Sequence, residues 1–243
     1  LGPGFIAIEE PECWLEGGYN EGFKEEWQNY YGEEWQDPTT SPEARYKASK
    51  LMAQLWIDML TMIGERMQEK YPEVGLVVAT HSGPNYIRHG IAAAINSYTN
   101  IPYIDGIIAQ VWSDTIAVPV NYGGTTQERA FEAGFLGYAT FPDSMQEGQT
   151  LFTLTDAKAD NPGFDWDKCY YLWQKSITSQ LMQSGVNNFQ ECVWPSRGFT
   201  PASPEYKTSQ MTAFNVMRDI GGKETNFYAG TPGISIALGD SFT

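Results

Sequence analysis

Apolar, β-branched runs and amphipathic segments take turns along this chain, and that alternation constrains the fold more than any other feature. Strands are expected at Phe5–Ile8, in "VGLVVATHSG", at Ile104–Trp112, in "QTLFTLTDA" and in "NNFQECVWP". Between them lie segments with helical spacing. The clearest starts at Ser41, a natural cap, with Pro42 in the first turn and Glu43 at the positive end of the helix dipole. Ala48, Leu51, Met52, Leu55, Trp56, Met59, Ile63 and Met67 then recur at three and four residues as one apolar face, and Pro72 marks the end. Further helices are expected around Tyr86–Ser97, Gln127–Tyr138, Asp167–Gln183 (stopped by Gly185) and Ser203–Ile220. Strand, helix, strand, helix, five times over, implies an α/β fold with a parallel sheet. The aromatic, acidic stretch "LEGGYNEGFKEEWQNYYGEEWQDP" is long for a strand–helix connection, and such loops are functional or hold short helices.

Each expected strand ends in polar or aromatic residues: Glu9, Glu10 and Glu12; His81, Ser82 and Asn85; Gln110, Trp112 and Asp114; Asp156; Glu191, Trp194 and Arg197. Active sites of (β/α) barrels are assembled at the C-terminal ends of their strands. The reading is therefore a TIM-barrel type α/β fold, with five strand–helix units over residues 1–222 and the start of a C-terminal extension or following domain from 223 to 243. A closed eight-stranded barrel typically takes about 250 residues. The chain is thus expected to be an incomplete barrel, with up to three N-terminal units missing or supplied by another copy in a homo-oligomer.

Charge and motifs remove several functions. Thirty acidic residues against fifteen basic ones give a net charge of −15, which argues against nucleic acid and anionic membranes as partners. No apolar run is long enough to span a bilayer. Neither G-x-G-x-x-G nor G-x-x-x-x-G-K-[ST] follows a strand, so a nucleotide fold has no support, and no cofactor is expected. Cys13, Cys169 and Cys192 form no C-x-x-C pair and are read as buried thiols, without a disulfide framework or zinc site. Ser82 in "THSGP" lacks a G-x-S-x-G elbow. His81 and His89 are the two histidines and form no H-x-H pair, so no metal site is assigned. Eight tryptophans, by contrast, suit the C–H faces of sugars.

"IAIEEPECW" resembles the fourth strand of glycoside hydrolases of the large (β/α)8 clan that includes the β-galactosidase-like families. Stretches like "EEPE-W…GY-E-FK-EW", "THS", "IAQVW", "DNP--DW" and "E--PWP-R" are similar to those of a group of bacterial glycoside-hydrolase-like proteins. Their counterparts here are Glu9–Trp14 with Gly18–Trp27, Thr80–Ser82, Ile108–Trp112, Asp160–Trp166 and Glu191–Arg197, so the likeness runs from about Gly4 to Phe199. The resemblance implies a carbohydrate ligand, with Glu10 as general acid/base and Glu9 where the clan has Asn. Hydrolysis needs a second carboxylate. The clan's nucleophile is a Glu ending strand seven, where this chain offers Asp156 and Asp160; Asp156 is taken, with Glu191 as the other candidate. Asp156 shares the parity of Phe152 and Leu154 and would face a pocket only if the strand had already broken into its loop. Glu9, Glu12, Trp14, His81, Asn85, Gln110, Trp112, Trp194 and Arg197 are the expected substrate contacts. The other reading is a degenerate, non-catalytic carbohydrate-binding barrel.

Overall fold

The computed structural model describes residues 3–86, 90–92, 94–183, 186, 188–190 and 194–221. In chain order its elements are β1 (Phe5–Glu9), β2 (Cys13–Trp14), α1 (Glu21–Tyr31), α2 (Pro42–Lys70), β3 (Gly75–His81), α3 (Gly83–Tyr86), β4 (Ile91–Ala92), α4 (Ile95–Thr99), β5 (Gly106–Gln110), α5 (Ser113–Ile116), β6 (Val120–Tyr122), β7 (Thr125–Gln127), α6 (Ala130–Ala139), β8 (Thr150–Leu154), α7 (Trp166–Leu181), β9 (Asn188–Gln190) and α8 (Pro204–Gly221). The fold is mixed α/β, with a parallel five-stranded sheet in the order β1-β3-β5-β8-β9. Two small antiparallel pairs, β2–β4 and β6–β7, accompany it. Among the described residues no helix is long and apolar enough to cross a membrane. The extension expected at 223–243 lies outside the described residues.

The described residues divide into two compact units: residues up to Ile107 with Gln146–Gln149, and Ile108–Met145 with the described residues from Thr150 to Gly221. In the first, β1 lies parallel to β3 with Phe5 opposite Gly75 and Glu9 opposite Ala79. β3 is buried along almost its whole length, as a β-branched run in a parallel sheet should be. β1 is not the buried strand that its apolar run suggests. Phe5 and Ile6 are 46% and 41% exposed. Hydrophobicity favours a strand, but burial also needs neighbours on both sides, and among the described residues β1 pairs with one strand.

Helix α2 follows its sequence signals. Ser41 Oγ accepts from Ala44 N at 3.1 Å, Pro42 occupies the first turn, and the helix ends just before Pro72. Its most buried side carries Ala44, Ala48, Leu51, Leu60 and Gly64, while Met52, Leu55, Trp56 and Met59 are half-buried beside it. The long aromatic stretch contains α1. Asn20 caps it through a 2.9 Å bond from Phe23 N, and Gly32 closes it at φ +70°. Phe23 and Trp27 of α1 pack against Ala48 and Leu51 of α2.

Gly64 lets α2 approach Tyr103. A Cβ on Gly64 would stand 2.3 Å from Tyr103 Cβ. Gly64→Ala is therefore expected to destabilise the protein. Overpacking of about 1–3 kcal/mol outweighs the roughly 1 kcal/mol of helix propensity gained. Urea unfolding measures the difference, and a more stable variant would mean that Tyr103 does not pack there.

The single helix expected around Tyr86–Ser97 is replaced by α3, β4 and α4. Gly90 takes φ +73°, a left-handed conformation that ends any helix crossing it.

In the second unit, β8 pairs parallel with β9, Phe152 opposite Asn188 and Leu154 opposite Gln190. The helix expected from Gln127 starts at Ala130, because Gln127 belongs to the β6–β7 hairpin. Gly123 and Gly124, both at positive φ, make the tight turn of that hairpin. Asp165 caps α7 through a 2.8 Å bond from Lys168 N. Trp173 and Ile177 of α7 are buried with Tyr206 and Met217 of α8. Gly185, read as the stop for α7, lies outside the described residues.

Candidate active site

The described site residues lie in two regions, one in each unit. The first is built where β1 ends. Glu9 is exposed at its last position. Glu10 N donates to Ala79 O at 2.8 Å, one further rung of the β1–β3 ladder. The backbone then turns sharply: Glu10 has φ +51°, and it is the one non-glycine described residue at positive φ. Pro11 and Glu12 drop into the protein. Tyr98 OH donates to Pro11 O, and Trp56 Nε1 donates to Glu12 O at 3.0 Å.

The turn carries the Glu12 side chain across to the end of β3, where it is 7% exposed. Its Oε1 accepts from Thr80 Oγ1 at 3.0 Å and from His81 N at 2.7 Å, and lies 2.7 Å from His81 Nδ1. On the other side of the imidazole, Nε2 lies 3.4 Å from Glu10 Oε1. Tyr86 stacks on the ring at 3.8 Å between centroids. Burial is the main cause that raises the Glu10 carboxyl above its ordinary value. His81 works against it, and Glu12 and Glu9 add to it. Such a carboxyl holds its proton further towards neutral pH, as a general acid must. Burial, with Glu12 adjacent, pushes the Cys13 thiol up to about 12, so it is a protonated packing group and no nucleophile. Trp14, in β2, leaves its indole 59% exposed. Asn85 lies in α3.

The second cluster lies where β5 and β8 end. Gln110 is fully buried as the last residue of β5. Trp112 precedes α5 and is half-buried. β8 stops at Leu154, so the strand has broken before Asp156 and its parity no longer aims the side chain. Asp156 is 5% exposed, and its Oδ1 accepts from Ser113 N at 2.8 Å and Ser113 Oγ at 2.7 Å. Burial raises the Asp156 carboxyl, opposed by the two Ser113 bonds. Asp114 is raised as well, by burial first and Asp156 second, while the N–H groups of Asn161 and Asp160 draw it down. Arg197 pairs with Asp160 and donates to Lys158 O at 3.0 Å. Trp194 is 57% exposed. Glu191 lies outside the described residues.

Asp156→Asn keeps an amide oxygen for both Ser113 bonds and removes the buried charge. The folded-state pKa is raised, so the folded protein binds more protons than the unfolded chain between the two values. The carboxylate's cost is absent below the unfolded value and fully present above the folded one. The variant is expected to raise Tm at pH 7 and to change it little at pH 4. Thermal unfolding at both pH values checks this; an equal change at the two would sink the assignment.

Thr80, Tyr86, Ser113 and Asp114 take part in these clusters without having been singled out as site residues. Thr80 adjoins His81 and Asp114 ends an expected strand, so both were within reach of the sequence. Ser113 and Tyr86 carried no signal. Among the described residues no group of three or more His, Cys, Asp or Glu is placed to hold a metal ion. No family model, curated protein or solved structure was found to match the chain.

Proposed function

We propose that the chain is a glycoside hydrolase of the (β/α) barrel type that acts on a neutral carbohydrate, with Glu10 as its proton-donating carboxyl. The observation that carries this reading is the backbone of Glu10. A non-glycine residue at φ +51° costs about 1–3 kcal/mol, and such strain persists where the surrounding structure imposes it, often at functional sites. Pro11 restricts the preceding residue further. The strained residue is the one that the resemblance makes the acid/base. It stands at the C-terminal end of a parallel strand, as barrel sites do, with a half-exposed carboxyl raised above its ordinary value by partial burial first and by neighbouring acids, against the opposing effect of His81. The exposed indoles of Trp14 and Trp194 suit sugar faces.

Hydrolysis needs a second carboxylate, to be sought by substitution at Asp156 and Glu191 in turn. One observation favours the second reading, a carbohydrate-binding protein without hydrolytic activity. Asp156 is buried and its Oδ1 already accepts from Ser113 N and Ser113 Oγ. Glu10→Gln in the full chain tests the first reading. Loss of hydrolysis with retained sugar binding supports it, and unchanged hydrolysis ends it. A wild-type protein that binds sugars and hydrolyses none belongs to the second.

A further inference from the structure

We propose that Glu12, His81 and Glu10 form a single proton-holding line, in which Glu12 fixes the imidazole and one proton is shared between His81 Nε2 and Glu10 Oε1. The inference rests on the reading of Glu10 as proton donor and adds the groups that keep its proton in place.

The direction of the line follows from donors and acceptors. Glu12 Oε1 already takes a backbone N–H from His81 and the hydroxyl of Thr80. Both groups bring protons to that oxygen, so the third contact, His81 Nδ1 at 2.7 Å, must bring one as well. A neutral ring protonated at Nδ1 leaves a lone pair on Nε2. That atom is 3.4 Å from Glu10 Oε1, an ion-pair distance from which the two groups can close on a shared proton. Tyr86, stacked on the ring, holds its plane. The charged and titratable described residues that face this line include Glu9, Glu10 and Glu12 from the end of β1, Cys13 from β2, His81 itself from β3 and Tyr86 from α3. Each place for the proton has a counterpart: a buried carboxylate beyond Nδ1 and a half-exposed one beyond Nε2.

The proton count balances over a turnover. When Glu10 gives its proton to the leaving oxygen, the anomeric C–O bond breaks and the second carboxylate bonds to the anomeric carbon, leaving Glu10 and Glu12 as carboxylates beside a neutral ring with Nδ1–H. Water then displaces that second carboxylate, bonding through oxygen to the anomeric carbon and returning one proton to the Glu10–His81 pair. His81 acts through Glu10 and is a positioning residue.

The test uses the full chain with ¹⁵N-labelled histidine and ¹³C-labelled glutamate carboxyls. With two histidines in the sequence, loss of one ring's signals in His81→Asn assigns the other. Long-range ¹H–¹⁵N spectra across pH are expected to show Nδ1 of His81 protonated throughout and only Nε2 changing. The Glu10 carboxyl should change at the same midpoints, as coupled groups do. In His81→Asn the amide can still donate to Glu12, and the Glu10 carboxyl should titrate alone at a higher pH. A neutral wild-type ring protonated at Nε2, or a Glu10 midpoint unmoved by His81→Asn, would overturn the inference. The two readings fail separately. Coupled titration in a protein that hydrolyses no glycoside sinks the hydrolase alone. Glu10-dependent hydrolysis with an uncoupled His81 sinks the proton line alone.

Discussion

Replacing Glu12 by Ala is expected to lower stability by about 3–5 kcal/mol, the range for removing one partner of a buried charged network. Three donors would lose their common acceptor: the Thr80 hydroxyl, the His81 amide and the His81 ring. Thr80 is fully buried and His81 nearly so, which keeps water from replacing the lost oxygen cheaply. For a chain of this size each kcal/mol moves Tm by about 2–4 °C, so the fall is on the order of 6–20 °C. Glu12→Gln retains an acceptor at the same point and should lose much less, about 1–2 kcal/mol. Thermal and urea unfolding of the two variants side by side separate the missing acceptor from the missing charge. An Ala variant as stable as wild type would mean that the carboxylate is not held inside the protein.

The Glu12 network also marks where sequence reading stops. Strand propensity, the Ser41 cap and the buried run of β3 are local properties, written in consecutive residues, and each appears where expected. The polar ends of the strands were legible for the same reason, and they place Glu10 and His81 at the ends of β1 and β3. The bond between Glu12 and His81 joins residues 69 apart in the chain. It exists because β1 and β3 are neighbours in register, with Glu9 opposite Ala79, and because the backbone turns at Glu10. Neither fact is written in any short stretch. The sequence therefore offered Glu12 and His81 as separate substrate contacts and gave no sign of the bond between them. Asp156 shows the same limit from another side. Alternation along a strand predicts facing only while the strand lasts, and β8 ends two residues earlier. The segment from α3 to α4 fails for a third reason. Its elements are too short to display a period, and a single left-handed glycine outweighs the helical pattern around it.

On the hydrolase function proposed above, Glu10→Gln is expected to lower turnover of glycosides with poor leaving groups by about 10²–10⁴-fold, the usual contribution of a positioned general acid. Gln is nearly isosteric and carries no transferable proton, so binding should change little. The loss should shrink for aryl glycosides with acidic leaving groups, since those oxygens depart without protonation. That dependence on leaving group separates an acid from a residue that merely shapes the pocket, whose removal would slow every substrate alike. Stability supplies a second discriminator. Glu10 holds φ +51°, which glycine adopts without steric penalty and other residues adopt at about 1–3 kcal/mol. Glu10→Gly should therefore be at least as stable as wild type in thermal unfolding, and as inactive as Glu10→Gln. A residue kept for structure would behave the other way, with both substitutions weakening the fold and neither changing the leaving-group profile. Strain that is relieved only by losing activity is the signature expected if Glu10 is held at the end of β1 for its chemistry.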